Sequence, residues 1–274
     1  MKIIARDYPA DRKDLEIASL MAVIAGNAAI RYFGRVAPAG ATGARGPLVE
    51  TEFKSGPADL VSEADRAAEA AAIEMLREHR PDDGYVGEEG SRSAGDASNG
   101  RRWLIDGIDR TFNFLHGVPN WCTAVCLVDE HGPAVSAIWD PMAEELTVAG
   151  RGLGASCSNR WVPVDQGLER LSLVTYLNPD SVRDPTLFAA FGRVMRACAT
   201  VRIMGSGSLD LVQVAEGRAG VWVQHEVDDW DWWPGALIVT EAGGVAEWLS
   251  IDGHEWSVAG QPEAVAAVLS ALTG

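Results

Sequence analysis

Apolar side chains return at helical spacing through residues 11–33, at Leu15, Ala18, Met21, Ala22 and Ala25 with Leu20 and Ile24 beside them, which predicts one long amphipathic helix. A second helix is expected after Ser62, where Ala64, Ala67, Ala68, Ala71, Met75 and Leu76 fall on one face. Ser62 and Asp65 form a variant of the capping box there, a hydroxyl at the N-cap and a carboxylate at the third helical position. Residues 38–47, rich in Pro, Gly and Ala without periodicity, read as a loop, and Lys54-Ser55-Gly56-Pro57 as a turn. The period then changes. Tyr85-Val86, 103–105, 121–128, 134–139 and 145–148 are short apolar or alternating runs, the later ones divided by Asp129-Glu130-His131-Gly132 and Asp140-Pro141, as in an antiparallel meander. The Ser, Gly, Ala and Asp segment 90–100 reads as an exposed loop. Gly150-Arg151-Gly152-Leu153-Gly154 has the glycines of a phosphate loop without its Lys or following helix, and reads as a hairpin.

Strand and helix alternate in the second half. Strands are expected at 171–175, 201–204, 219–223, 245–249 and 258–260. Helices are expected at 185–198, 209–215 with Gly217 as its stop, 231–242 with Asp231 as N-cap and Gly243-Gly244 closing it, and 263–272. No repeat or linker separates the halves. The expected fold class is α/β (α+β), a single domain over 1–274 with an α+β part at about 1–165 and an α/β part at about 166–274.

A chain of 274 residues that is 47% apolar has ample material for a core. Its 39 acidic and 23 basic residues give a formal charge of −16, which argues against nucleic acid as a partner because a phosphate backbone needs a basic footprint. No apolar run approaches a membrane span and the first residues lack an apolar leader, so a cytoplasmic protein with no membrane partner is expected. Cys122, Cys126, Cys157 and Cys198 have no metal-ligand spacing, and Cys122 and Cys126 should share a strand face with Ala124 and Val128 as buried thiols.

The candidate chemistry centres on Trp103-Leu104-Ile105-Asp106-Gly107-Ile108-Asp109-Arg110-Thr111-Phe112-Asn113-Phe114. A buried strand delivers Asp106 and Asp109 where a glycine breaks the extended run. Two carboxylates held close repel, and one takes up a proton near neutral pH unless a cation offsets them. A divalent metal is the usual remedy, Thr111 puts a hydroxyl beside it, and Asn113 is a candidate cap for the following helical turn. More carboxylates stand at Gly87-Glu88-Glu89, Asp59, Asp65 and Trp230-Asp231.

Taken in order, Asp59-Leu60-Val61-Ser62-Glu63-Ala64-Asp65, Gly87-Glu88-Glu89, the run from Trp103, and Trp230-Asp231 followed by Glu241-Ala242-Gly243-Gly244 resemble the signatures of the inositol monophosphatase family, metal-dependent and lithium-sensitive phosphatases. The likeness spans about Lys54 to Gly244. It implies a layered α-β-α-β-α sandwich of the inositol monophosphatase and fructose-1,6-bisphosphatase type, with the site between its two parts. It also implies metal ligation by Glu88, Asp106, the Ile108 backbone carbonyl, Asp109 and Asp231. All-oxygen ligation suits Mg²⁺, with Mn²⁺ as substitute. The catalytic residues implied are Glu88 and Thr111, which aim a water, and Asp65, which with Thr111 orients and deprotonates it; Lys54 and Asp59 fall on the same pattern. Substrate-binding positions are Arg110, Thr111, Ser206, Gly207, Gln224 and Asp231, and the partners implied are a small phosphorylated substrate and a second copy in a homodimer.

Three places depart from the family pattern. Gly107 and Arg110 replace a Pro and a Gly, Gln224 replaces an inositol-binding Glu, and Trp232-Trp233-Pro234-Gly235 brings bulk where the family has small residues, narrowing the pocket or facing the core. Because Thr111 begins a helical turn, Arg110 is expected at negative φ, its guanidinium either pairing with a carboxylate ligand and weakening one metal position, the favoured reading, or reaching a second anionic group on the substrate. The resulting expectation is metal-dependent hydrolysis of a small phosphomonoester, an inositol phosphate or histidinol phosphate among the options. The alternative is a member weakened by Arg110 that serves as a phosphate-ligand binding or interaction protein.

Overall fold

Helix α1 (Arg12–Ala29) is capped by Asp11, whose side chain accepts from Lys13 N, and runs into a 3-10 turn at Ile30–Tyr32. Its buried line of Ile17, Ala18, Met21, Ala22, Ala25 and Ala29 is mostly alanine, so the helix lies close on α2 (Glu63–His79) and on the sheet behind it. Gly26 marks the tightest approach: a Cβ there would fall 2.4 Å from Trp139 Cδ1. By length and composition alone Arg12–Tyr32 is apolar enough to cross a membrane, as a core helix also can be. The apolarity is that of a core-facing alanine stripe.

The computed structural model describes residues 8–35, 51–56, 59–95, 99–156, 170–177 and 179–274. The loop expected at 38–47 and Cys157 lie outside the described residues, as do the side chains of Lys54 and Asp59. β1 (Thr51–Gly56) and β2 (Asp59–Ser62) form an antiparallel pair, so the expected turn at 54–57 is strand as far as Gly56.

The seven-stranded sheet runs in the order β4-β3-β5-β6-β7-β8-β9. Its members are β3 (Gly84–Gly87), β4 (Arg92–Ser93), β5 (Arg102–Asp109), β6 (Cys122–Asp129), β7 (Gly132–Asp140), β8 (Glu145–Gly150) and β9 (Gly154–Ser156). β3 and β5 are parallel and the other neighbours antiparallel, so the meander and the hairpin at 150–154 are as expected. The five-stranded sheet, β11-β10-β12-β14-β13, contains β10 (Ser172–Thr175), β11 (Thr200–Arg202), β12 (Val221–His225), β13 (Val245–Ile251) and β14 (His254–Gly260). A short helix not expected from the pattern, α4 (Pro179–Arg183), precedes α5 (Pro185–Ala197).

Five layers result. α1 and α2 cover one face of the larger sheet; α6 (Gly207–Ala215) and α7 (Asp229–Glu241) lie between the two sheets; α5 and α8 (Pro262–Thr273) cover the far face of the smaller one. Three apolar cores fill the gaps. The middle core takes Cys122, Ala124 and Cys126 from one face of β6 with Val128 beside them, as their spacing predicts, and both thiols are free. Trp232 and Trp233 belong to this core, Trp232 stacked on Trp222 and Trp233 tilted against Trp232, so Trp233 faces the interior.

Candidate active site

β5 carries the site at its C-terminal end. Residues three apart on a regular strand point to opposite faces, but the pairing shifts between Asp106 (opposite Ala124) and Asp109 (opposite Cys122), so one extra residue is accommodated. The bulge brings both carboxylates to one side. Gly107 lies against α2, where a Cβ would come 3.0 Å from Asp65 O and from Ala68 Cβ, and its carbonyl accepts from the buried Thr123 hydroxyl at 3.1 Å. Ile108 packs its side chain into the first core and its amide donates to Asp106 Oδ1 at 3.0 Å.

Asp106, Asp109 and Asp231 each offer a carboxylate oxygen within 4.8 Å of the others. Glu88, at the turn after β3, is hydrogen-bonded to Asp106 and adds its charge, though it stands outside that tight set of three. Burial first, then the charges of Glu88, Asp109 and Asp231, push the Asp106 carboxyl well above the usual range. Such a cluster holds together either by taking up protons or by binding a cation. Asp109 has its Oδ2 committed to Ser206 Oγ (2.8 Å) and Ser208 N (2.7 Å), which ties the strand end to the first turn of α6 and leaves Oδ1 for the cluster.

Asp231 comes from the first turn of α7 but is not its N-cap, because Asp228 takes that position and accepts from Asp231 N and Trp232 N through its carbonyl. Asp65 sits behind Thr111. Its Oδ2 accepts from Ser62 N (2.7 Å) and Ser62 Oγ (2.5 Å), completing the expected capping box, and its Oδ1 accepts from Thr111 Oγ1 at 2.7 Å. Thr111 thus has its proton directed at Asp65 and its lone pairs left for the cavity side.

Arg110 differs from expectation. It is the residue before α3 (Thr111–Leu115) and stands at φ 84°, ψ 61°, in the left-handed region, so the negative φ expected from a helical neighbour does not apply. Its guanidinium lies over the Tyr176 ring at 4.2 Å and near the Phe112 ring at 5.8 Å, and forms no ion pair among the described residues. The pairing with a carboxylate ligand is therefore corrected: the aromatic rings hold the cation. Asn113 is likewise no cap; its amide donates to the carbonyls of Asn120 and Met204, joining α3 to the β11–α6 turn.

A cavity of about 160 Å³ opens onto the cluster. Glu88, Asp106, Ile108, Asp109 and Asp231 line its acidic side; Arg110, Thr111, Phe112, Tyr176, Gly205, Gly207, Trp222 and Gln224 line the rest. Ser206 is fully buried behind this wall as the N-cap of α6, so of the expected Ser206-Gly207 pair only Gly207 faces the cavity. Tyr176 and Trp222 lie in no motif that would reveal them, and Phe112 lies within the run from Trp103 at a position given no role in the cavity. Glu69 was also missed: it is buried in α2 and accepts from Glu89 N (2.8 Å) and Ser91 N (3.3 Å), holding the turn that presents Glu88.

Residues 12–270 match the model of the inositol monophosphatase family. An inositol-1-monophosphatase of Rhizobium meliloti is 37% identical over 193 residues, covering 69% of this chain and 72% of that one. The Nus factor SuhB of Pasteurella multocida is 34% identical over 221 residues, 80% of this chain and 82% of its own. Among solved structures, the extragenic suppressor protein SuhB of Bartonella henselae superposes with a TM-score of 0.83 at 28% identity, covering 95% of this chain and 98% of that one. With the five-layered fold and the converging carboxylates, these matches show that the chain belongs to the inositol monophosphatase family.

Proposed function

We propose that the protein hydrolyses a small phosphomonoester in a reaction that depends on a divalent cation, Mg²⁺ in preference to Mn²⁺. The observation that carries this reading is the convergence of Asp106, Asp109 and Asp231 beside a Thr111 hydroxyl already bonded to Asp65. The donor set fits such a cation: it is all oxygen, densely negative, and includes a buried carboxyl pushed well above its usual range by burial and by its carboxylate neighbours. Asp106, Asp109 and Asp231 would hold it, with Glu88 and the Ile108 carbonyl completing the set. When bound, the cation supplies Lewis-acid polarisation of phosphoryl oxygens and acidifies water.

The chain's own part is positioning and proton handling. Thr111 accepts a hydrogen bond from a water in the cavity because its own proton is directed at Asp65, and Asp65 receives the proton displaced along that bond. Ser62, donating twice to the other Asp65 oxygen, fixes the carboxylate that accepts from Thr111 at 2.7 Å, the shorter of the hydroxyl's two contacts, the other being the Ile108 carbonyl at 3.4 Å. Gly207 and Gln224, on the wall away from the acids, contact the alcohol part of the substrate. Gln224 binds hydroxyls without adding a fifth carboxylate to the cavity, and the substrate need not be inositol phosphate. The alternative, a weakened member serving as a binding or interaction protein, drew on Arg110, whose guanidinium lies over Tyr176.

Phosphate release from a panel of phosphomonoesters, with Mg²⁺ and with chelator, tests the reading. Turnover that appears with Mg²⁺ and vanishes with chelator is the expected result; no turnover of any member overturns it.

A further inference from the structure

Arg110 is the one cation among the described residues that line the cavity, and it is held there by several features at once. Its backbone occupies a left-handed conformation that is unfavourable for a non-glycine residue. Its stem crosses Gly205, where a Cβ would come within 3.0 Å of Nε and 3.1 Å of Cγ, so the glycine turn provides the slot. Its guanidinium rests on Tyr176 with Phe112 nearby, which fixes the plane and leaves the N–H edges for a planar acceptor. Nε is buried without a hydrogen-bond partner.

We propose that Arg110 is a specificity residue that binds a second anionic group, carboxylate or phosphate, on a substrate whose scissile phosphate meets the carboxylate cluster. This rests on the phosphatase reading and narrows its substrate class to phosphomonoesters with a second negative charge. Gln224 supports it independently: a neutral amide in the cavity wall does not repel such an anion as a carboxylate would. The stacked fork suits a bidentate acceptor, and a neutral polyol gives it none.

The test uses phosphonates, whose carbon–phosphorus bond resists hydrolysis, so binding is read apart from turnover. Calorimetry in Mg²⁺ compares hydroxypropylphosphonate, phosphonopropionate and propane bisphosphonate on the wild type, Arg110→Gly and Arg110→Lys. A charge-assisted bidentate contact gives the wild type about tenfold tighter binding of one or both ligands with an anionic second end than of hydroxypropylphosphonate. That preference should fall to within about twofold in Arg110→Gly and be only partly kept by Arg110→Lys, which retains charge without the fork. Which of the two ligands gains assigns carboxylate or phosphate. Gly accepts positive φ, so the glycine variant should keep its melting temperature. Equal affinities in the wild type, no binding of any ligand, or a preference that survives in Arg110→Gly overturns the proposal. Hydrolysis of glycerol phosphate, assayed in parallel, separates this failure from that of the phosphatase reading.

Discussion

Thr111 Oγ1 stands 2.7 Å from Asp65 Oδ1, and this one bond joins the turn after β5 to the first turn of α2 across 46 residues of sequence. Asp65 is thereby both a helix cap and the acceptor behind the hydroxyl that faces the cavity. The two duties separate experimentally. Thr111→Val is expected to lower kcat by about 100-fold or more with little loss of stability. Asp65→Ala should lose a similar amount of kcat and also about 1 kcal/mol of stability from the cap. If the residues act as one unit, the double variant is no slower than the slower single one. Multiplying losses in kcat would show that they act separately.

Asp231 is close enough to Asp106 and Asp109 for their repulsion to matter in the absence of a cation. Asp231→Asn keeps the volume and removes one charge. Calorimetry should show Mg²⁺ binding weakened about tenfold or more, a change of about 1.4 kcal/mol, while the melting temperature in chelator stays level or rises. Unchanged Mg²⁺ affinity would remove Asp231 from the ligand set.

Asp210 provides a pH test away from the cavity. It is buried in α6 with Oδ1 unpartnered, and burial, then the charge of Asp109, raise its pKa from the ordinary 3.8 to about 8. The folded chain keeps a proton that the unfolded chain has released, so through about pH 4 to about pH 8 stability falls as pH rises. Asp210→Asn needs no such proton. Urea midpoints of the metal-free protein should decline less for the variant than for the wild type between about pH 5 and about pH 8. Parallel declines would mean that Asp210 is not the group holding the proton.

Much of this site was readable in the sequence because its strongest parts are local. The capping box is set by Ser62 and Asp65 within one turn, and the Asp106 and Asp109 pair by one strand end. What sequence reasoning missed is non-local or depends on backbone shape. The sign of φ at Arg110 belongs to the residue before α3, where helical rules do not reach, and Asp231 lost the cap position to Asp228 by three residues. Tyr176 comes to Arg110 from the other sheet, at the end of β10, with no spacing to announce it. Most individual helices and strands, by contrast, follow from periodicity, since alternating and helical patterns are averaged over many residues, whereas their layering was implied by the family resemblance.

Glu69 is the residue whose removal should separate positioning from ligation. Its buried carboxylate accepts from Glu89 N and Ser91 N, and Gly87 leaves it room: a Cβ at Gly87 would fall 2.2 Å from Glu69 Cδ. Glu69 is neither one of the three converging carboxylates nor part of the cavity lining. Glu69→Ala leaves two backbone amides without their acceptor, at about 1–3 kcal/mol for each that stays buried, and frees the turn that carries Glu88. Gly87→Ala displaces the same carboxylate by steric pressure, since the intruding contact is with the end of the side chain. Both variants are expected to lose stability, kcat and Mg²⁺ affinity together. Glu69→Gln keeps one acceptor oxygen and should recover part of all three. A structural role alone would lower the melting temperature while kcat and Mg²⁺ affinity, measured well below it, stayed at wild-type values; that result would detach Glu69 from the placement of Glu88.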